Sequence, residues 1–120
     1  MTDIEIWKGK NKDIVITITD ENRKIIDITG ALLFFTVKKK YVQKDADIKI
    51  HDVVPSDPVN GIGEINILPE HTRDLKIGNY FYDIQMLLDN KIRVLITGNM
   101  YIKDVVMGSI EEEVEENGSE

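Results

Sequence analysis

The sequence lacks cysteine altogether among its 120 residues. A disulfide framework, a thiolate metal site and a thiol nucleophile are therefore excluded. Long hydrophobic runs are also missing, because the longest, Ala31 to Phe35, is far shorter than the roughly 20 residues with which a helix crosses a bilayer. The first residues carry neither the basic region nor the apolar stretch of a secretory signal. We therefore expect a soluble protein that is made in the cytoplasm and has no membrane partner.

Basic charge is scarce relative to acidic charge, and the imbalance is local. The formal net charge is −7, and residues 109–120 contain six glutamates and no lysine or arginine. Without those six, the 22 acidic residues fall to 16, against 15 basic ones. A nearly neutral body is a poor electrostatic match for a phosphate backbone, so no nucleic-acid partner is expected. We predict a folded domain over residues 1–108 and an acidic, disordered tail over 109–120.

Alternation of apolar and polar residues with a period of two dominates the sequence and predicts strands. The segments that show it best are Ile4–Trp7, Asp13–Thr19, Ala31–Lys38, Ile62–Leu68, Tyr80–Leu88, Ile92–Ile96 and Met100–Val106, with weaker ones at Lys24–Ile26 and Ile48–Ile50. Asp89-Asn90 predicts a hairpin turn, and Pro69–Leu75 predicts one short helical turn. About seven to eight short strands with one helical turn indicate an all-β fold, an antiparallel β-sandwich, with a small barrel as the alternative.

Residues suited to chemistry are present but do not form known motifs. His51 and His71 lack the spacing of a metal-binding pair. Asp45, Asp47 and Asp52 lie in one polar stretch without the glycine and distant glutamate of a calcium loop, which favours a solvated loop. None of the three serines lies in a nucleophile elbow. We predict no catalytic residue, no metal site and no cofactor, and therefore a protein that is not an enzyme.

The two ends of the predicted domain are the candidate interaction site. The opening strand and the final strand are predicted to be the edges of the sheets, where unpaired backbone groups can add a strand from a partner. Trp7 is interpreted mainly as an anchor that closes the sheet, and it is also the side chain most suited to an interface. The candidate interface residues are Ile4, Ile6, Trp7, Met100 and Ile102.

Aromatic residues support an alternative function. Tyr41, Phe81 and Tyr101 could provide an exposed ring for a ligand such as a carbohydrate, although strand aromatics more often pack in cores. The alternative prediction is therefore a ligand-binding β-sandwich module. An enzyme is the third hypothesis, and it would need a base, nucleophile or metal that the sequence does not assemble.

Five segments carry a resemblance to a known family. They are the opening strand with Lys8-Gly9; Ile14–Thr19 with the turn Asp20-Glu21-Asn22; Asp27–Ala31 leading into Phe35–Lys38; Gly63–Leu68 running into Pro69–Leu75; and Gly78–Gln85. Together they span nearly all of residues 3–106. In these segments the chain resembles the immunoglobulin-like N-terminal domain of phage baseplate upper proteins, which also occurs as small standalone proteins of phage and prophage tail regions.

The resemblance implies an immunoglobulin-like sandwich and a structural role in a virion tail or baseplate. Other tail or baseplate proteins would be its partners, with a homo-oligomer as a further possibility. Within the matched segments, Pro69 would start the helical turn, and Thr72 and Leu75 would fix that turn to the sheet edge. Gly9-Lys10-Asn11 stands where such domains usually have Gly-Asp-Thr, and the receptor-binding or multimerising C-terminal part of the longer family proteins is not matched. The resemblance therefore implies the fold and a virion setting more than attachment to a host.

Overall fold

The computed structural model of the chain describes residues 3–104. The elements are β1 (Ile4–Trp7), β2 (Lys12–Thr17), β3 (Leu32–Lys38), β4 (Ile48–Val53), a 3-10 turn (Pro58–Asn60), β5 (Ile62–Ile67), α1 (Pro69–Thr72), β6 (Gly78–Leu88) and β7 (Lys91–Lys103). The predicted tail at 109–120, the domain boundary at 108 and the end of the last predicted strand lie outside the described residues. None of the helical segments within residues 3–104 has the length and apolar composition of a membrane-spanning helix.

Seven strands of the described part form two sheets, which confirms the all-β sandwich. The larger sheet has five strands in the order β1-β7-β6-β3-β4, and the smaller one pairs β2 with β5. All pairs are antiparallel except β1 with β7, which run parallel from Ile4 opposite Met100 to Trp7 opposite Lys103. The prediction that all strand pairs are antiparallel is therefore wrong for the β1–β7 pair.

The core lies between the two sheets. On β3 the inward residues are Leu33, Phe35 and Val37, each fully buried, so the structure assigns a face that the continuous apolar run left open. The small sheet packs closely here, since a Cβ added to Gly63 of β5 would overlap Leu33 Cδ1. Alternation on β6 is as predicted, with Tyr80, Tyr82, Ile84 and Met86 buried.

The hairpin of β6 and β7 is the longest pairing in the fold. Asp89 and Asn90 form its turn with φ of 52° and 62°, the left-handed conformation that tight hairpin turns need and that asparagine and aspartate tolerate. β7 then continues as one strand of 13 residues, where the sequence predicted two strands interrupted at Gly98. The predicted edge strand at Lys24–Ile26 is reduced to a single bridge between Thr19 and Ile25.

Within residues 3–104 the chain passes between the two sheets four times, and these connections meet in pairs. At one end, the β1–β2 turn meets α1, which joins β5 to β6. The amide of Gly9 in the turn donates to the hydroxyl of Thr72 in α1 at 2.8 Å, and Thr72 is fully buried. At the other end, the β2–β3 and β4–β5 connections meet where the Ile18 amide donates to Gly61 O at 2.8 Å and the Ile28 amide to Pro58 O at 2.8 Å.

We expect Thr72→Val to lower the free energy of unfolding by about 1–2 kcal/mol, because it leaves the Gly9 amide without an acceptor while preserving side-chain shape. The measurement is urea unfolding followed by circular dichroism. Thr17→Val on the exposed face of β2 is the control and should change stability by less than about 0.5 kcal/mol. Equal stability of the two variants would show that this hydrogen bond does not stabilise the contact between the β1–β2 turn and α1.

Gly61→Ala tests the other end of the sandwich, where the β2–β3 and β4–β5 connections meet. Gly61 has φ +68°, and a Cβ there would lie 2.7 Å from both Ile18 O and Ile26 O. Gly30 also has a positive φ, +89°, but its Cβ would meet nothing within 4 Å. We expect Gly30→Ala to cost about 1–2 kcal/mol from backbone strain alone and Gly61→Ala to cost at least about 2 kcal/mol more. Thermal unfolding of both variants measures the difference, and equal losses would contradict it.

Candidate interaction surfaces

The opening strand lies at an edge of the large sheet, as predicted. β1 pairs only with β7, and β2 pairs only with β5, so each has one side without a strand partner among residues 3–104. A shallow depression of about 830 Å³ lies between them, and we call it the amino-terminal trough. Its lining residues are Asp3, Ile4, Glu5, Ile6, Trp7, Asn11, Lys12, Asp13, Ile14 and Val15. The trough therefore has free strand edges on both of its sides.

Two apolar side chains of the trough are exposed. Trp7 is 53% exposed and Val15 is 62% exposed. Lys103 Nζ lies 5.8 Å from the centre of the Trp7 ring and also forms an ion pair with Glu5 at 3.0 Å. Both interactions join β1 to the end of β7, and a cation over a tryptophan face is favourable at this distance. The indole is thus positioned by the strands while much of it stays open to solvent.

The other four predicted interface residues have buried side chains. Ile4 is 9% exposed, and Ile6, Met100 and Ile102 are 2% exposed or less. They face the core because alternate residues of a strand point to the same face, and their partners across the β1–β7 pair do the same. Of the predicted set, only Trp7 has a side chain that is largely open to solvent, and it lies beside the free backbone edge of β1.

The prediction that Met100–Val106 forms an edge is wrong over its described part, because β1 covers β7 from Met100 to Lys103. The side of β7 that faces away from β6 lacks a described strand partner earlier in the strand, from Lys91 to Gly98. Ile92 and Val94 of this stretch are 69% and 58% exposed. The sequence pattern could not give this result, because alternation does not report which strand lies beside which.

A separate groove lies on the outer face of the large sheet, the face turned away from the small sheet. It has a volume of about 340 Å³ and we call it the outer groove. Its lining residues are Thr36, Lys38, Tyr41, Phe81, Tyr82, Asp83, Gln85 and Thr97. Two of the three aromatic residues suggested for ligand binding meet here, because the Tyr41 and Phe81 rings stack at 4.3 Å with an interplanar angle of 19°. Tyr101, the third, does not line the groove.

The histidines and loop aspartates have ordinary structural partners. His51 Nδ1 lies 2.6 Å from Asp52 Oδ2, and His71 Nδ1 accepts from the Leu68 amide at 2.8 Å at the start of α1. Asp47 Oδ2 accepts from the Lys39 amide and from Gln43 Nε2, which closes the loop after β3. Within residues 3–104 no three or more metal-binding side chains come together.

Two tyrosines of β6 have perturbed hydroxyl groups. Burial raises the pKa of Tyr80 and of Tyr82, and the nearby Asp47 carboxylate raises that of Tyr80 further. The Tyr80 hydroxyl donates to Lys76 O at 2.7 Å. Both groups are therefore neutral hydrogen-bonding phenols at physiological pH, and Tyr80 ties the start of β6 to the loop after α1.

One comparison with known proteins bears on the fold. No family model and no curated protein matches the chain. Among solved structures, the N-terminal domain of phage TP901-1 ORF48 is similar with a TM-score of 0.53, 14% identity and 85% coverage of each chain. The PmoD soluble domain from Methylocystis sp. ATCC 49242 (Rockwell) has a TM-score of 0.47 and 6% identity, covering 82% of this chain and 77% of that one. An uncharacterized protein from Bacillus anthracis str. Ames has a TM-score of 0.41 and 14% identity, covering 83% and 77%. The likeness to the phage domain shows that the two chains share a fold.

Proposed function

We propose that the chain is a non-catalytic structural and interaction module of a phage or prophage tail or baseplate. Two lines support the proposal. The sequence segments over residues 3–106 resemble the N-terminal domain of phage baseplate upper proteins, and the fold is shared with the N-terminal domain of phage TP901-1 ORF48. Its place would then be the virion, with other tail or baseplate proteins as partners, a second copy of the chain among the possibilities.

In this proposal, neighbouring subunits bind in the amino-terminal trough. An extended segment of a neighbouring subunit would pair with the free edge of β1 or of β2, so that main-chain hydrogen bonds supply affinity. Trp7 and Val15, both more than half exposed, would supply the apolar contacts that specify the partner. A rigid sandwich that offers two edges side by side suits a building block, because its neighbours are then held in fixed orientation.

The first experiment is quantitative mass spectrometry of particles purified after induction of the prophages in the source organism. We expect the chain at a fixed copy number relative to the tail proteins. Particles that lack it, from cells that plainly contain it, would remove the virion role. The ligand-binding module would then be the function to pursue.

Trp7→Ala and Val15→Lys test the trough itself. We expect each to reduce incorporation into particles at least about tenfold, since a lost aromatic anchor or a charge on a strand edge opposes strand addition. Val59→Lys is the matched control, because Val59 is also 62% exposed but lies in the 3-10 turn outside the trough. All three purified variants should melt within about 3 °C of the parent chain. Equal incorporation of Val15→Lys and Val59→Lys would exclude the trough as the attachment site.

A further inference from the structure

The outer groove combines a flat aromatic surface with a row of polar groups, and the proposed structural role uses neither. Tyr41 is 74% exposed even though it is one of the larger apolar rings of the chain. Its ring is held parallel to Phe81 of β6 at 4.3 Å, a stacked geometry that fixes its orientation. A supported aromatic face is thereby kept at the rim of the groove, where a ligand can reach it.

The polar groups follow from strand register. Asp83 of β6 lies opposite Thr36 of β3 on one side and Thr97 of β7 on the other, so two hydroxyls flank one carboxylate across three strands. Gln85 lies two residues further along the same face and donates from Nε2 to Asp83 Oδ1 at 3.2 Å. Within the described residues, Asp83 Oδ2 has no protein partner. The groove therefore contains a free carboxylate oxygen, an amide carbonyl and two hydroxyls.

This set of groups selects among ligand classes. A purely apolar ligand would leave the carboxylate and amide desolvated, which is costly. A phosphate-bearing ligand would be repelled by Asp83, and Lys38 is the only cationic group among the described residues that line the groove. A sugar ring fits both parts, because its C–H face packs on an aromatic ring while its hydroxyls donate to carboxylate and accept from amide or hydroxyl groups. The volume of about 340 Å³ lies at the small end of ligand sites.

We propose that the outer groove binds a neutral saccharide, with one sugar ring packed on Tyr41 and its hydroxyls bonded to Asp83 and Gln85. Thr36 and Thr97 supply further hydrogen bonds from the neighbouring strands. The groove lies on the outer face of the large sheet, whereas the trough lies between the edges of β1 and β2. Saccharide binding is therefore independent of attachment through the trough.

The test begins with the full chain on an array of neutral and charged glycans. The strongest neutral glycan is then titrated into ¹⁵N-labelled protein, and amide shifts are followed by NMR. We expect saturable shifts centred on Phe81, Asp83 and Gln85. The proposal is overturned if no neutral glycan binds, if charged glycans bind more strongly, or if the shifts lie away from β6.

Substitutions separate recognition from folding. Tyr41→Ala should weaken binding at least about tenfold because it removes the stacking surface, and Asp83→Asn should weaken it similarly by removing the charged acceptor. Tyr101→Ala is the matched control, since Tyr101 is 43% exposed on a neighbouring strand and lies outside the groove. The NMR spectra of each variant report whether it is folded. An equal effect of Tyr41→Ala and Tyr101→Ala in folded protein would also overturn the proposal.

Discussion

One hydrogen bond, from the Gly9 amide to the buried Thr72 hydroxyl, joins two of the four places where the chain changes sheet. β1 belongs to the large sheet and β2 to the small one, so the turn between them must leave one layer and enter the other. α1 makes the reverse passage from β5 to β6 beside it. Because β2 and β5 are antiparallel neighbours, the two passages necessarily lie at the same end, and Thr72 fixes their separation. At the opposite end, the hydrogen bonds to Gly61 O and Pro58 O connect the β2–β3 and β4–β5 passages in the same way.

The placement of β1 and β2 determines which surfaces a partner can reach. A turn of only four residues separates the strands, so their edges stay close although they belong to different sheets. β1 pairs only with the last four residues of β7, so Lys91–Gly98 have β6 as their strand neighbour on one side and no described strand on the other. The short connection keeps the two edges of the trough together, and Ile92 and Val94 lie exposed in the stretch of β7 that β1 does not reach. The candidate interaction surfaces of this fold follow from its topology more than from any cluster of chemically reactive residues.

The sequence predicted what depends on neighbouring residues and missed what depends on distant ones. Alternation placed Tyr80, Tyr82, Ile84 and Met86 on one face of β6, and Asp89-Asn90 marked the hairpin turn, because both signals are local. The parallel β1–β7 pair joins residues almost a whole chain apart, and no local pattern encodes it. For the same reason Met100 and Ile102 were expected at an edge, whereas they lie in the core. Thr72 was expected to fix the helical turn to the sheet edge, whereas its hydroxyl accepts from the Gly9 amide of the β1–β2 turn, a partner that only the folded chain identifies.

The sequence contains part of the information that is needed to predict the outer groove. Once the core face of β6 is known, Phe81, Asp83 and Gln85 must share the opposite face, and the same alternation puts Thr36 and Lys38 on the outer face of β3. The missing step was the register that sets Asp83 between Thr36 and Thr97, together with the loop that returns Tyr41 to Phe81. A sheet face buried against a partner is expected to be apolar, as the inner face of this sheet is. Its outer face instead combines an exposed ring with a carboxylate and an amide, the groups on which the proposed saccharide site depends.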